Sequence, residues 1–231
     1  MKKIICILLP LVFGSMGAFA QSGAPELAGR AYFAIQGGPV LNIYENVFTY
    51  SENGRLGGLF TMDGAASFGC DFTELYGARV QLGFGSDAGA ANSRETSDQG
   101  FYPYSFRHVN LFADVTLNLA PGAYSGRATY FRPKMYAGVG YAYTFHFSDP
   151  GHPWQNINSG NSAFGFRGGL ICEYTFPAGF GMYVDLGGEA YTDNYNGLAP
   201  SEEDKELVKN GYPGFPLDLR GKLALGLVLH F

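Results

Sequence analysis

Charge is scarce in this 231-residue sequence: Asp, Glu, Lys and Arg make up 15% of it, and the formal net charge is −5. It has no Lys/Arg cluster, so a nucleic-acid partner, which requires a basic face to neutralise phosphates, is not expected. Cysteine is limited to three residues, whereas a small scaffold stapled by disulfides is denser in Cys. Beyond residue 20 no apolar run approaches the roughly eighteen residues of a spanning helix. What the chain does have is 16% aromatic residues and 34 glycines. That combination excludes a disordered segment and a coiled coil. It suggests a protein whose exterior does not face water.

The first twenty residues read as a secretory signal. Met1-Lys2-Lys3 is basic, Ile4 to Met16 is apolar, and Ala18-Phe19-Ala20 has the small-x-small form of a signal peptidase site. Residues 1–20 are therefore expected to be a cleaved leader and 21–231 a single mature domain. Cys6 belongs to the leader and lacks the setting of a lipoprotein cysteine. The two mature cysteines, Cys70 and Cys172, lie in strand-like segments and are expected to stay reduced.

The dominant pattern has a period of two. Val109, Leu111, Ala113, Val115, Leu117 and Leu119 alternate with Asn110, Phe112, Asp114, Thr116 and Asn118. Met135 to Phe147 alternates in the same way, and Leu219, Leu223, Leu225, Leu227, Leu229 and Phe231 alternate with Asp218, Arg220, Lys222, Ala224, Gly226 and His230. Each such stretch is a strand with one apolar and one polar or small face. Strands are expected at about 30–41, 56–72, 75–86, 105–119, 130–147, 163–176, 179–192 and 216–231, many of them long enough for the roughly ten residues of a tilted membrane strand. Long connections (42–55, 87–104, 148–162, 193–215) alternate with shorter ones (73–74, 120–129, 177–178). The expected fold is all-β: an eight-stranded antiparallel up-and-down transmembrane β-barrel with both termini periplasmic.

A soluble eight-stranded barrel of the lipocalin type would point its apolar parity inward. Here the smaller parity carries charge or glycine, which suits a narrow lumen. It brings Asp63, Asp71, Asp114, Glu173, Asp185 and Glu189 onto one face with Arg79, Lys134, Arg167, Arg220 and Lys222. Buried charges persist only when paired and hydrogen-bonded, so an interior ion-pair network is expected. Glycines at 83, 138, 140, 165, 169, 181 and 187 leave room for it. Tyr102, Tyr104, Phe106, Phe147, Phe176 and Phe180 sit at strand ends, where interfacial aromatic girdles are expected.

The C-terminal LALGLVLHF, ending in Phe231 behind Leu223, Leu225, Leu227 and Leu229, looks like the signature by which barrel assembly machinery recognises its clients. HVNLFADVTLNL (108–119) followed by RPKMYAGVGYAYTF (132–145) resembles the barrel domain of outer membrane protein A-like (OmpA/OmpX-type) proteins of the Bacteroidales type. The resemblance spans nearly all of 21–231. It implies an outer-membrane location in a Gram-negative bacterium. The partners it implies are membrane lipid and lipopolysaccharide, the assembly machinery and periplasmic chaperones. That family often continues into a peptidoglycan-binding domain, whereas this sequence stops at Phe231, so anchoring to the cell wall is not expected.

Three roles are weighed. The first is a structural or surface-interaction barrel with a filled lumen, acting as a monomer without cofactors. The second is a lipid A-modifying acyltransferase or deacylase, for which His108 with Ser105, or His146 with Ser148 and Asp149, are the candidates. The third, a narrow porin, conflicts with an eight-stranded interior filled by its own side chains. His108, His146, His152 and His230 show no metal-ligand spacing. SEEDKELVKN (201–210) reads as a solvated loop with the option of a short helix, and Tyr102, Trp154 and Tyr195 are loop residues available to a partner of unspecified kind.

Overall fold

The computed structural model describes residues 30–43, 60–92, 101–120, 130–148, 160–176, 180–192, 195–197 and 217–231. The leader, Asp149, His152, Trp154 and segment 201–210 lie outside them, as does most of each long connection.

Eight strands follow one another: β1 (Arg30–Ile43), β2 (Phe60–Asp71), β3 (Tyr76–Asn92), β4 (Phe101–Asn118), β5 (Tyr130–Ser148), β6 (Gly160–Thr175), β7 (Phe180–Thr192) and β8 (Leu217–His230). Each pairs antiparallel with its sequence neighbours, and β1 closes on β8, from Tyr32 opposite His230 to Ile43 opposite Leu219. Closure leaves no free sheet edge. At the end carrying Arg30 and Phe231, hereafter the terminal end, the β2–β3 connection is a tight turn in which Thr73 Oγ1 accepts from the Leu75 and Tyr76 amides. The connections after β1, β3, β5 and β7 leave from the far end.

Alternation sets inside and outside. Outward positions of β8 are Leu223, Leu225, Leu227 and Leu229, with Leu225 68% exposed, and β6 turns Phe164 and Phe166 outward. Among outward strand positions with described side chains, Arg107 is the sole Lys, Arg, Asp or Glu. Inward positions hold buried Arg, Lys, Asp, Glu, Asn, Gln and Tyr. Glycine makes that crowding possible: a methyl group on Gly138 would strike the Asp114 carboxylate, and one on Gly187 would strike the Tyr136 hydroxyl.

The structure corrects three readings. Residues 87–92 and 101–104, expected in a loop, are strand: the small residues Ala88 to Asn92 pair with Phe101 to Ser105 and lengthen the barrel. Tyr104 and Phe106 are lumenal, since they share the even, inward parity of β4 with His108 and Asn110. Phe147 is also drawn off the outer girdle. The pairing of β4 with β5 shifts between Ser105 and Arg107, His146 adopts φ +57°, and the extra residue reverses the parity. Phe147 then stacks on Phe106 with ring centroids 4.9 Å apart. Phe176 and Phe180 do face outward and stack on each other at 5.8 Å.

Candidate functional site

The lumen contains the candidate site, built in layers from side chains that reach across it. Near the terminal end, Lys134 of β5 lies between Asp71 of β2 (3.2 Å) and Glu173 of β6 (3.3 Å). Arg132 meets Asp71 at 3.3 Å. Glu173 also accepts from Thr175 and faces His230 Nε2 at 2.8 Å.

In the middle, Asp114 of β4 receives Arg79 from the adjacent β3 (2.7 Å) and both Nε (2.7 Å) and Nη2 (2.6 Å) of Arg167 from β6. The Arg167 guanidinium lies 4.3 Å from the centre of the Phe112 ring, and that of Arg79 lies 4.5 Å from Tyr136. Tyr136 donates to Asp185 (2.9 Å), which Lys222 approaches at 3.7 Å. Ring faces here cover the uncharged sides of the guanidinium planes, and the carboxylates take their edges.

Toward the far end, Arg220 of β8 is the hub. Its guanidinium meets Glu189 (2.7 Å), Asp63 (2.5 Å) and Asp87 (3.0 Å), carboxylates of β7, β2 and β3. Lys222 adds a contact to Glu189 at 3.6 Å. His108 sits between Asp63 (3.4 Å) and Asp87 (3.2 Å). Asp63, Gly85 and His108 are in register on β2, β3 and β4, so the missing side chain of Gly85 lets the other two meet over it. Ligand atoms of Asp63, Asp87 and His108 lie within 4.8 Å of one another, the metal-capable group found among the described residues.

Above this layer the turn after β7 folds back into the mouth. Tyr195 is fully buried; it stacks on Tyr191 with centroids 4.1 Å apart and donates its hydroxyl to Asp87 at 2.5 Å. Asn196 donates its backbone amide (3.0 Å) and side-chain amide (2.9 Å) to Asp218. Its carbonyl accepts from the Tyr104 hydroxyl (3.1 Å). Gly197, at φ +78°, takes the left-handed conformation that ends this insertion. Tyr195 is thus an internal residue, not a loop side chain offered to a partner.

All eleven expected network residues face the lumen. Asp63, Glu189 and Arg220 meet in one layer, Arg79, Asp114 and Arg167 in another, and Asp71 and Glu173 join through Lys134; Asp185 and Lys222 lie between layers. Arg132, His230, Asp87 and His108 extend the network beyond that set. The loop reading hides Asp87, although Arg79, Gln81, Gly83, Gly85 and Asp87 continue one unbroken period of two.

Of the enzymatic candidates, Ser105 and His108 do not assemble, and Asp149 of the His146 set lies outside the described residues. Ser105 and His108 are three residues apart on one strand and therefore face opposite sides, Ser105 out and His108 in. His146 is exposed on the outer surface at the bulge. Cys70 and Cys172 are both free; Cys172 is exposed, and Cys70 is covered despite its outward parity.

The free space is small. A cavity bordered by Gln36, Asp63, Gln81, Asn110, Glu189 and Lys222 measures about 10 Å³, and one at the terminal end beside Asp71, Arg132 and Lys134 also about 10 Å³. Each is room for about one water molecule.

No protein-family model matches the chain, and no curated protein matches it. Among solved structures it is similar to a major outer membrane protein from Thermus thermophilus, with 14% identity, 87% of this chain and 99% of that one covered, and a TM-score of 0.45. It is similar to Ail, the attachment invasion locus protein of Yersinia pestis, at 11% identity, 89% and 100% coverage and a TM-score of 0.42. Neisserial surface protein A is similar at 10% identity, 87% and 97% coverage and a TM-score of 0.43.

Proposed function

We propose that this chain is an integral outer-membrane β-barrel, exported by its N-terminal leader, whose lumen is closed by its own ionic side chains and whose role is structural or surface-interacting without catalysis. The observation that carries this is the inverted polarity. Phe, Leu, Val and Met cover the outer wall, while Arg, Lys, Asp and Glu are buried inside. In water that outer wall far exceeds the apolar patch a soluble monomer exposes. In a bilayer it matches the hydrocarbon, and the closed backbone pairing leaves no polar edge toward lipid.

In this reading the terminal end lies in the periplasm and the connections after β1, β3, β5 and β7 face outward. Arg107 and exposed His146 then mark the outer headgroup level, facing lipopolysaccharide. The alternating leucines of β8 and Phe231 are the segment that assembly machinery reads, with periplasmic chaperones acting before insertion. The protein works as a monomer without cofactors. The resemblance to the barrel domain of outer membrane protein A-like proteins agrees with this assignment.

The test is expression in a Gram-negative host followed by membrane fractionation and electrophoresis of heated and unheated samples. The protein is expected in the outer membrane, with a heat-dependent mobility shift. Recovery as a soluble periplasmic protein overturns the proposal. Lipid A mass spectra with and without the protein are expected to be identical; a new lipid A species that disappears in His108→Ala or His146→Ala restores the enzyme reading.

A further inference from the structure

We infer that Asp63, Asp87 and His108 form a binding site for a divalent transition-metal ion in the far mouth of the lumen. Two carboxylates and an imidazole are a donor set suited to ions such as Zn²⁺.

Four observations converge. Ligand atoms of the three residues lie within 4.8 Å of one another, close enough for one ion. Two of the three are underused as they stand: Asp63 Oδ1 and both ring nitrogens of His108 are buried without a hydrogen bond, the imidazole facing the carboxylates at 3.2 and 3.4 Å without the alignment of one. The Asp63 and His108 side chains are 10% and 0% exposed.

Arg220 is the third observation. It takes Oδ2 of Asp63 and Oδ1 of Asp87, leaving Asp63 Oδ1 without a partner. The remaining Asp87 oxygen accepts from Tyr195. The guanidinium and the phenol therefore act as outer partners that hold the carboxylates in place, as outer hydrogen bonds do around metal ligands.

Charge is the fourth. Apart from Arg30 at the terminal rim, the described residues of the lumen include eight carboxylates (Asp63, Asp71, Asp87, Asp114, Glu173, Asp185, Glu189 and Asp218) against Arg79, Arg132, Lys134, Arg167, Arg220 and Lys222. Two negative charges are left over. One divalent cation neutralises them, and the surplus is concentrated where it would sit: Arg220 alone touches Asp63, Asp87 and Glu189 together. The competing solution is a proton on His108 in place of a metal.

Untagged full-length protein, refolded into detergent with Zn²⁺ alone, is dialysed against metal-free buffer and its metal content measured on the folded, heat-modifiable species. One Zn²⁺ per barrel is expected, with Mg²⁺ failing to replace it. His108→Gln and Asp87→Asn are each expected to weaken Zn²⁺ binding by at least about tenfold, while the double variant His146→Ala/His152→Ala retains it. Absence of Zn²⁺ from the wild type, or unchanged affinity in both lumen variants, overturns the site. If those variants do not fold, zinc-edge X-ray absorption of the wild type decides. A single imidazole among oxygen ligands supports the site, and two or more imidazoles, or none, refute it.

Discussion

Arg167 shows how a buried charge is held in place. Strand register sets it opposite Glu189, yet its hydrogen bonds go the other way, over Gly138 of β5 to Asp114 of β4, with Phe112 against the guanidinium face. Removing it leaves Asp114 with Arg79 alone in a buried setting. Breaking one side of a buried pair costs roughly 3–5 kcal/mol because the remaining charge is uncompensated. Arg167→Ala is expected to lower unfolding stability in urea-titrated lipid vesicles by about that much, whereas Leu225→Val, on the outer wall, costs less than about 1.5 kcal/mol. The reverse order contradicts the inside–outside assignment. Which residues face inward was legible from period two alone, but partner choice was not: long side chains select partners by reach across a closed barrel, and reach depends on diameter and stagger, which a linear pattern does not encode.

At the scale of an element, the β-bulge at His146 determines the far end of β5. One extra residue against β4 reverses the parity, and Phe147 turns inward to stack on Phe106 instead of joining an outer girdle. The alternation from Met135 to Phe147 reads as continuous because Phe145 and Phe147 are chemically alike, so the bulge left no trace in hydropathy. His146 occupies the left-handed region, which disfavours β-branched side chains. His146→Val is expected to destabilise the barrel by about 1–2 kcal/mol, and His146→Gly to leave its stability within about 1 kcal/mol; equal tolerance of Val and Gly in thermal unfolding refutes the positive-φ geometry.

The last strand supplies a different test at the same scale. Phe231 donates its backbone amide to Ala31 across the closing seam, and its ring lies 6.2 Å from that of Phe68. Deleting Phe231 is expected to lower outer-membrane yield and increase periplasmic degradation. Unchanged yield of heat-modifiable protein refutes the assembly role of this end. The eight strands were legible because a two-sided wall needs strict alternation. The 87–92 extension was not, because Ala88 to Ala91 carry too little hydrophobic contrast to mark a face.

For the whole molecule, the decisive quantity is whether an aqueous path runs from one mouth to the other. Three ionic layers cross the lumen at successive heights: Asp71, Lys134 and Glu173; Arg79, Asp114 and Arg167; and Asp63, Asp87, Glu189 and Arg220. Each includes a contact between strands that are not neighbours in the barrel (β2 with β5, β4 with β6, and β8 with β2 and β3), so its side chains project into the bore instead of only lining it. Above them Tyr195 stacks on Tyr191 and covers the far mouth. The cavities of about 10 Å³ each have room for about one water molecule, not for a continuous column. An eight-stranded barrel has an interior just wide enough for such side chains to fill. The purified protein in planar bilayers is therefore expected to show no steady ionic conductance. Releasing the mouth alone with Tyr195→Ala does not open a channel, because the middle layer around Asp114 remains closed beneath it. Long-lived open levels in the wild type refute the filled lumen; a channel in Tyr195→Ala alone places the only barrier at the mouth and shows that the deeper ion pairs leave a path for ions.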